Sequence, residues 1–270
     1  MERGPGSNVL KKSKTMLRIE KITKRFGGLM ALNQCAFEVA RNSITGLIGP
    51  NGSGKTTLFN IVSGFYRPDQ GRVLFKNGEI SGREPFKIIK EGLVRTFQIS
   101  RVFSGLTVLE NMLYAPKNQA GEKLFRVFLS PGMVRRQDRG NREKAEVLLE
   151  TVGLSELLEE NAGSLSYGQQ KLLELARALM SAPEMILLDE PAAGINPTML
   201  RKLLKVIRDL HDQGKTFLII EHDMRFIMEL CERIIVLDNG EKISEGPPGD
   251  IQQDDRVISA YLGTTYDFGN

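Results

Sequence analysis

Residues Gly49-Pro50-Asn51-Gly52-Ser53-Gly54-Lys55-Thr56 follow the spacing G-x-x-x-x-G-K-T, and the chemistry of that spacing is the holding of a polyphosphate. Glycines let backbone N–H groups curl round a phosphate, and a helix starting at Lys55 adds the partial positive charge of its N-terminus. Lys55 is expected to reach the β- and γ-phosphate oxygens and Thr56 to offer its hydroxyl to Mg²⁺, with Thr57 completing the nucleotide contacts. A second group, Met185-Ile186-Leu187-Leu188-Asp189-Glu190, is an apolar run that closes on two carboxylates. At the end of a buried parallel strand they would face the carboxyl edge where ligands bind. Asp189 would hold Mg²⁺ through water. Glu190 would orient and polarise an attacking water, because phosphoryl transfer asks for positioning and charge stabilisation rather than covalent help. Alone, a strand-terminal Asp-Glu pair is common surface chemistry; beside the phosphate loop it reads as the other half of one site.

For these groups to meet, strands and helices must alternate around them. Ile44 to Ile48 is a continuous apolar run, a Gly-rich turn follows, and Lys55 to Val62 has helical spacing. Met185 to Leu188 and Thr216 to Ile220 are further buried-strand candidates, each followed by a helical pattern, as parallel β-α-β units require. Met16 to Glu20 and Cys35 to Val39 read as short strands. Gly71 to Phe75 and Glu79 to Ile80 flank Asn77-Gly78, and Arg233 to Leu237 and Glu241 to Ser244 flank Asn239-Gly240, a pair favoured in tight type I′ hairpins. From about Leu106 to Met180 there is no convincing strand, only Leu, Glu, Arg and Ala at helical spacing, with a loop near Ser130-Pro131-Gly132. The expectation is an α/β fold with a mostly parallel core sheet, an antiparallel β subdomain and a helical insertion subdomain. Its divisions are a flexible leader over 1–15, the core over 16–98 and 181–246, the helical subdomain over 99–180, and a C-terminal helix and tail over 247–270.

The 270 residues, 41% hydrophobic and 26% charged, suffice for one large domain with a substantial core. A net charge of +4 suits a nucleotide or a membrane surface, and equally an ordinary soluble protein. Cys35 and Cys231 stand far apart, with no second Cys or His nearby, so neither a disulfide framework nor a zinc site is suggested and a reducing compartment fits. No apolar run approaches the roughly 18 to 20 residues of a spanning helix, and the basic start (Arg3, Lys11, Lys12, Lys14) lacks the apolar stretch of a secretory signal. The chain is expected to stay in the cytoplasm and to act at a membrane only through a partner.

Leu165-Ser166-Tyr167-Gly168-Gln169, just before a helical stretch from Gln170 to Met180, resembles the LSGGQ segment peculiar to ATP-binding-cassette ATPases. It is a helix N-terminus fronted by Ser and Gly, and so a second anion site, although in isolation an ordinary Ser-capped helix is the favoured reading of the pentapeptide. The resemblance implies a P-loop NTPase that binds ATP with Mg²⁺ and hydrolyses it, in a head-to-tail dimer where Ser166, Gly168 and Gln169 of one subunit meet the nucleotide on the other's phosphate loop. It further implies that Gln98 resembles the Q-loop glutamine that reaches Mg²⁺ and the attacking water. In the same way His222 resembles the switch histidine on the γ-phosphate, and Phe26 the aromatic that stacks on adenine, where a core Phe is the competing reading. Ala193-Gly194-Ile195-Asn196 falls at the D-loop, with Asn196 in place of the usual Asp.

The resemblance runs from Met16 to about Gly263. Lys24 to Gly28, Gly64 to Pro68, Arg95 to Gln98, Glu190 to Pro197, Ala260 to Gly263 and the insertion from Pro116 to Asn141 are similar to the cassettes of branched-chain amino-acid importers. That implies transmembrane permease subunits, a second cassette (the resemblance favours a sister chain over a second copy), indirectly a solute-binding protein, and a place on the inner face of the membrane. Alternatives are urea or amide import, and lipopolysaccharide export, whose cassette lacks the long insertion. A non-transport cassette acting on nucleic acid or ribosomes fits less well, since there is one cassette, no sustained heptad and no cysteine cluster; no nucleic-acid partner is expected.

Overall fold

The computed structural model describes residues 14–96, 102–115 and 131–262. The chain runs β1 (Thr15–Phe26), β2 (Leu29–Ala40), β3 (Ile44–Ile48), α1 (Lys55–Val62), β4 (Gln70–Phe75), β5 (Gly78–Glu79), α2 (Pro85–Glu91), β6 (Leu93–Arg95) and α3 (Val108–Leu113). It continues with α4 (Pro131–Thr151), two 3₁₀ turns, α5 (Tyr167–Leu179), β7 (Met185–Asp189), α6 (Pro197–Asp212), β8 (Thr216–Ile220), α7 (Met224–Leu230), β9 (Arg233–Asp238), β10 (Glu241–Gly246), α8 (Pro248–Gln252) and α9 (Asp255–Leu262).

Unbroken apolar runs must be covered on both faces, and β3, β7 and β8 are buried at every position. They sit at the centre of a six-stranded sheet of order β10-β9-β3-β8-β7-β6, parallel throughout except at β10. Alternation splits each strand between two cores. Ile186, Leu188, Phe217 and Ile219 point to the side shared with α6, α7 and the helical region, while Met185, Leu187, Leu218 and Ile220 join α1 and the antiparallel sheet. That second sheet has the order β2-β1-β4-β5.

The structure corrects several sequence expectations. The first two strands are 12 residues each, not short. Their pairing shifts register near Lys21 and Gln34, both left-handed with φ of 49° and 46°, and such bulges erase the alternation that would have shown the full length. β1 begins at Thr15, inside the expected leader, whose residues 1–13 lie outside the described residues. The β4–β5 turn centres one residue early, on Lys76-Asn77, because Phe75 pairs with Gly78; both central residues have positive φ, as a type I′ turn requires. The turn at Asn239-Gly240 falls where expected. Pro131-Gly132 opens α4 instead of forming a loop, a helix start that proline tolerates.

Phe217 is fully buried, so Phe217→Ala should cost about 3–5 kcal/mol in a urea unfolding curve. Val147, 61% exposed on α4, should tolerate alanine within about 0.5 kcal/mol in the same assay.

Candidate functional site

The phosphate loop joins β3 to α1, and packing dictates two of its glycines. A Cβ on Gly49 (φ 150°) would lie 2.0 Å from the Leu237 carbonyl oxygen, and one on Gly54 (φ 101°) 2.6 Å from that of Ala31. Gly54 caps α1 without a side-chain acceptor, and the first turn carries no acidic residue, so its N–H groups suit an external anion. Lys55 is buried, and its Nζ donates to the carbonyls of Gly49 and Pro50, both at 2.8 Å, and to Ser53 Oγ at 3.2 Å. Burial pushes its pKa down to about 8, against the opposing pull of Glu190 and Asp189; bound phosphate charge would raise it again. Asn51, Gly52 and Thr56 are exposed at the mouth, with Thr57 half-buried behind them.

Register delivers the other groups to this loop. Ile220 of β8 pairs with Leu47 on one side and Asp189 on the other, so the segments after β3, β7 and β8 leave the sheet at one edge. Glu190 extends the ladder by one bond, its N–H donating to Ile220 O at 2.9 Å, and then turns left-handed at φ 49°. For a non-glycine residue that conformation costs about 1–3 kcal/mol. It sets the Glu190 carboxylate against His222, with Oε1 3.2 Å from Nε2. Glu221, between β8 and His222, is buried and accepts from the backbone N–H groups of Ala192, His222 and Asp223.

Asp189 is also buried, and its Oδ2 accepts from Arg95 at 2.6 Å. The same guanidinium donates to Asn60 Oδ1 at 2.7 Å and Ser63 Oγ at 3.3 Å and lies over the Phe59 ring. One buried cation thus ties the end of β7 to α1. Among the described residues no group of three His, Cys, Asp or Glu side chains is poised to hold a metal. One hydroxyl and one carboxylate, hard oxygen donors beside a phosphate cradle, fit Mg²⁺, which keeps most of its water and takes substrate phosphates as ligands. Gln98 lies outside the described residues.

The helix after Leu165 starts with a capping box. Ser166 Oγ accepts from Gln169 N at 3.4 Å, and Gln169 Oε1 accepts from Ser166 N at 2.8 Å. Both polar groups are therefore committed to α5 itself, and the glycine has a packing reason: a Cβ on Gly168 would lie 2.7 Å from Ile195 Cγ2. Tyr167 likewise covers Gly194, and Lys171 reaches the Glu190 carbonyl at 3.4 Å, so this segment packs on the loop that follows β7. Asn196 caps α6 by accepting from Met199 N at 2.9 Å, a task asparagine shares with aspartate. Phe26, 43% exposed, is not a core side chain; the Tyr66 ring meets it edge-on at 5.3 Å.

Reading the sequence passed over Glu221 and left Arg95 and Tyr66 as parts of longer resembling segments. The signal for the first two was a charged residue continuing a strand that is otherwise apolar, a place where an unpaired charge is too costly to leave alone.

The family model described as ABC transporter matches residues 32–193. The chain belongs to the ABC transporter family. A second model, described as branched-chain amino acid ATP-binding cassette transporter, matches residues 241–267 of this cassette. Over 252 residues it is 40% identical to the high-affinity branched-chain amino acid transport ATP-binding protein LivG of Salmonella typhimurium, covering 93% of this chain and 99% of that one. The corresponding protein BraF of Pseudomonas aeruginosa gives the same figures. The probable LivG of Archaeoglobus fulgidus is 42% identical over 248 residues, 92% of this chain and 95% of the relative. Among solved structures, a nucleotide-free ATP-binding cassette from an ABC transporter superposes with a TM-score of 0.80 at 38% identity, covering 92% of this chain and 98% of that chain. The ADP conformation of an ATP-binding cassette gives 0.79 at 37%, covering 93% and 100%. This cassette is accordingly a nucleotide-binding ATPase of transport, with the expected mixed α/β fold.

Removing one partner of a buried ion pair strands the other's charge. Arg95→Met should therefore cost about 3–5 kcal/mol in denaturant unfolding, and Asp189→Asn introduced into that variant should recover part of the loss.

Proposed function

We propose that this cassette supplies the ATP hydrolysis that drives import of branched-chain amino acids. The observation that carries this reading is the 40% identity to branched-chain transport ATP-binding proteins over 93% of the chain, together with the matching C-terminal segment at 241–267. In this reading the loop from Gly49 to Thr57 holds the polyphosphate, Lys55 neutralises its β- and γ-oxygens, and adenine stacks on the exposed Phe26 ring. Thr56, Asp189 and Gln98 would hold Mg²⁺, which would supply stabilisation of the negative charge developing on the phosphate oxygens. The Glu190 carboxylate accepts a proton from the attacking water as its oxygen bonds to the γ-phosphorus and the bond to the β-phosphate oxygen breaks, releasing ADP. His222 steadies that carboxylate from 3.2 Å and would contact the γ-phosphate.

The partners would be transmembrane permease subunits, which place the cassette on the inner face of the membrane, and a second cassette bound head to tail. In that dimer Ser166, Gly168 and Gln169 at the start of α5 would meet the nucleotide on the facing phosphate loop. A solute-binding protein would deliver the amino acid on the far side. Among the described residues no helix is long and apolar enough to cross a membrane, which suits a subunit that docks on membrane partners.

Glu190→Gln in the cell that encodes this chain should abolish high-affinity uptake of labelled leucine and leave urea uptake intact. Unchanged leucine uptake with lost urea uptake would move the assignment to amide import. The purified variant should also shift from monomer to dimer mass on adding Mg-ATP, measured by light scattering, if one kind of chain can form the sandwich; a monomer with ATP bound would point to a sister cassette.

A further inference from the structure

The buried Glu221 carboxylate bridges the two loops that carry Glu190 and His222. Oε1 accepts from Ala192 N at 2.5 Å, two residues beyond Glu190, while Oε2 accepts from His222 N at 3.0 Å and Asp223 N at 3.4 Å. Glu190 in turn faces His222 side chain to side chain at 3.2 Å, and its own N–H is pinned to Ile220 O. These contacts close a circuit: Glu190, Ala192, the Glu221 carboxylate, His222, and back to Glu190. Two loops leaving neighbouring strands have no covalent reason to keep a fixed spacing, and Glu190 holds a left-handed φ that its surroundings must enforce. Carboxylate-to-N–H bonds are charge-assisted and stronger than neutral ones, so one carboxylate sharing three of them is a stiff link. Burial raises the Glu221 pKa and the nearby Glu190 charge adds to this, while the three N–H donors pull it down.

We infer that Glu221 is a positioning residue for hydrolysis, holding the His222 backbone and the loop after Glu190 in the register that aligns the Glu190 carboxylate with the attacking water. It touches no reacting atom; it acts through its neighbours. The inference rests on the proposed roles of Glu190 and His222.

Glutamine fills the same volume but carries one acceptor oxygen and one NH₂ group, so it serves one loop and presents a donor to the N–H of the other. A misplacement of about 1 Å costs on the order of 100-fold in rate. Glu221→Gln should therefore lower kcat by roughly 10- to 100-fold and leave the KM for ATP within about twofold. Rates are taken per ATP-binding chain, so that a smaller folded fraction does not count as a loss. In a His222→Ala background the same substitution should cost clearly less than in the parent, because the side-chain limb from residue 222 to Glu190 is gone and only the Ala192 link remains. Glu221→Asp, one methylene too short to reach both loops, should behave like the glutamine variant although it keeps the charge. His222 and His211 are the protein's two histidines, so ring resonances give a readout free of activity: Glu221→Gln should shift those of His222 and leave those of His211 in place.

Equal fold-losses with and without His222 would overturn the inference, as would an unchanged kcat or unmoved His222 resonances. If His222→Ala itself hydrolyses ATP at the parental rate, the reading of the site falls and the inference with it. If His222→Ala is slow while Glu221→Gln keeps the parental rate, only the inference falls.

Discussion

The site depends on the parallel register of three central strands. Ile220 is flanked by Leu47 and Asp189 at one level of the sheet, and this alignment puts the phosphate loop, the Asp189-Glu190 pair and the Glu221-His222 pair at a common edge. A one-residue slip of β7 would turn Asp189 to the opposite face and exchange Ile186 and Leu188 for Leu187 in the wrong core. The two apolar layers forbid it, since each strand contributes alternately to both. Hydrophobic burial therefore aligns the chemistry as well as supplying stability.

At the carboxyl edge the apolar sheet gives way to charge, and three of the buried charges there are shared between elements. Arg95 joins Asp189 to Asn60 of α1 and to Ser63 just beyond it; Glu221 joins the loop after Glu190 to the one holding His222; Lys171 joins α5 to the Glu190 carbonyl. Low dielectric makes such links strong when complete and costly when broken. The start of α5 also packs through Gly168 and Tyr167 on Ile195 and Gly194, so this helix start rests directly on the loop that follows β7.

Much of this was legible because it is local. The phosphate loop, the Asp189-Glu190 ending and the Thr216–Ile220 strand are contiguous patterns whose residue types name their chemistry. The full lengths of β1 and β2 were hidden by bulges at Lys21 and Gln34, where alternation lapses. The Lys76-Asn77 turn was misplaced because asparagine and glycine advertise a turn that lysine, also at positive φ, in fact begins. Arg95 and Glu221 escaped for a different reason. Their partners lie 94 and 29 residues away, and no spacing rule along the chain reveals which buried charges will meet.

The most direct test of the central claim, that one sheet edge assembles an ATP-hydrolysing site around Glu190, is steady-state ATP turnover of Glu190→Gln measured beside its ATP binding. The account predicts binding at the parental level and turnover lower by at least about 100-fold, the scale of a lost general base. Equal turnover in variant and parent would contradict it.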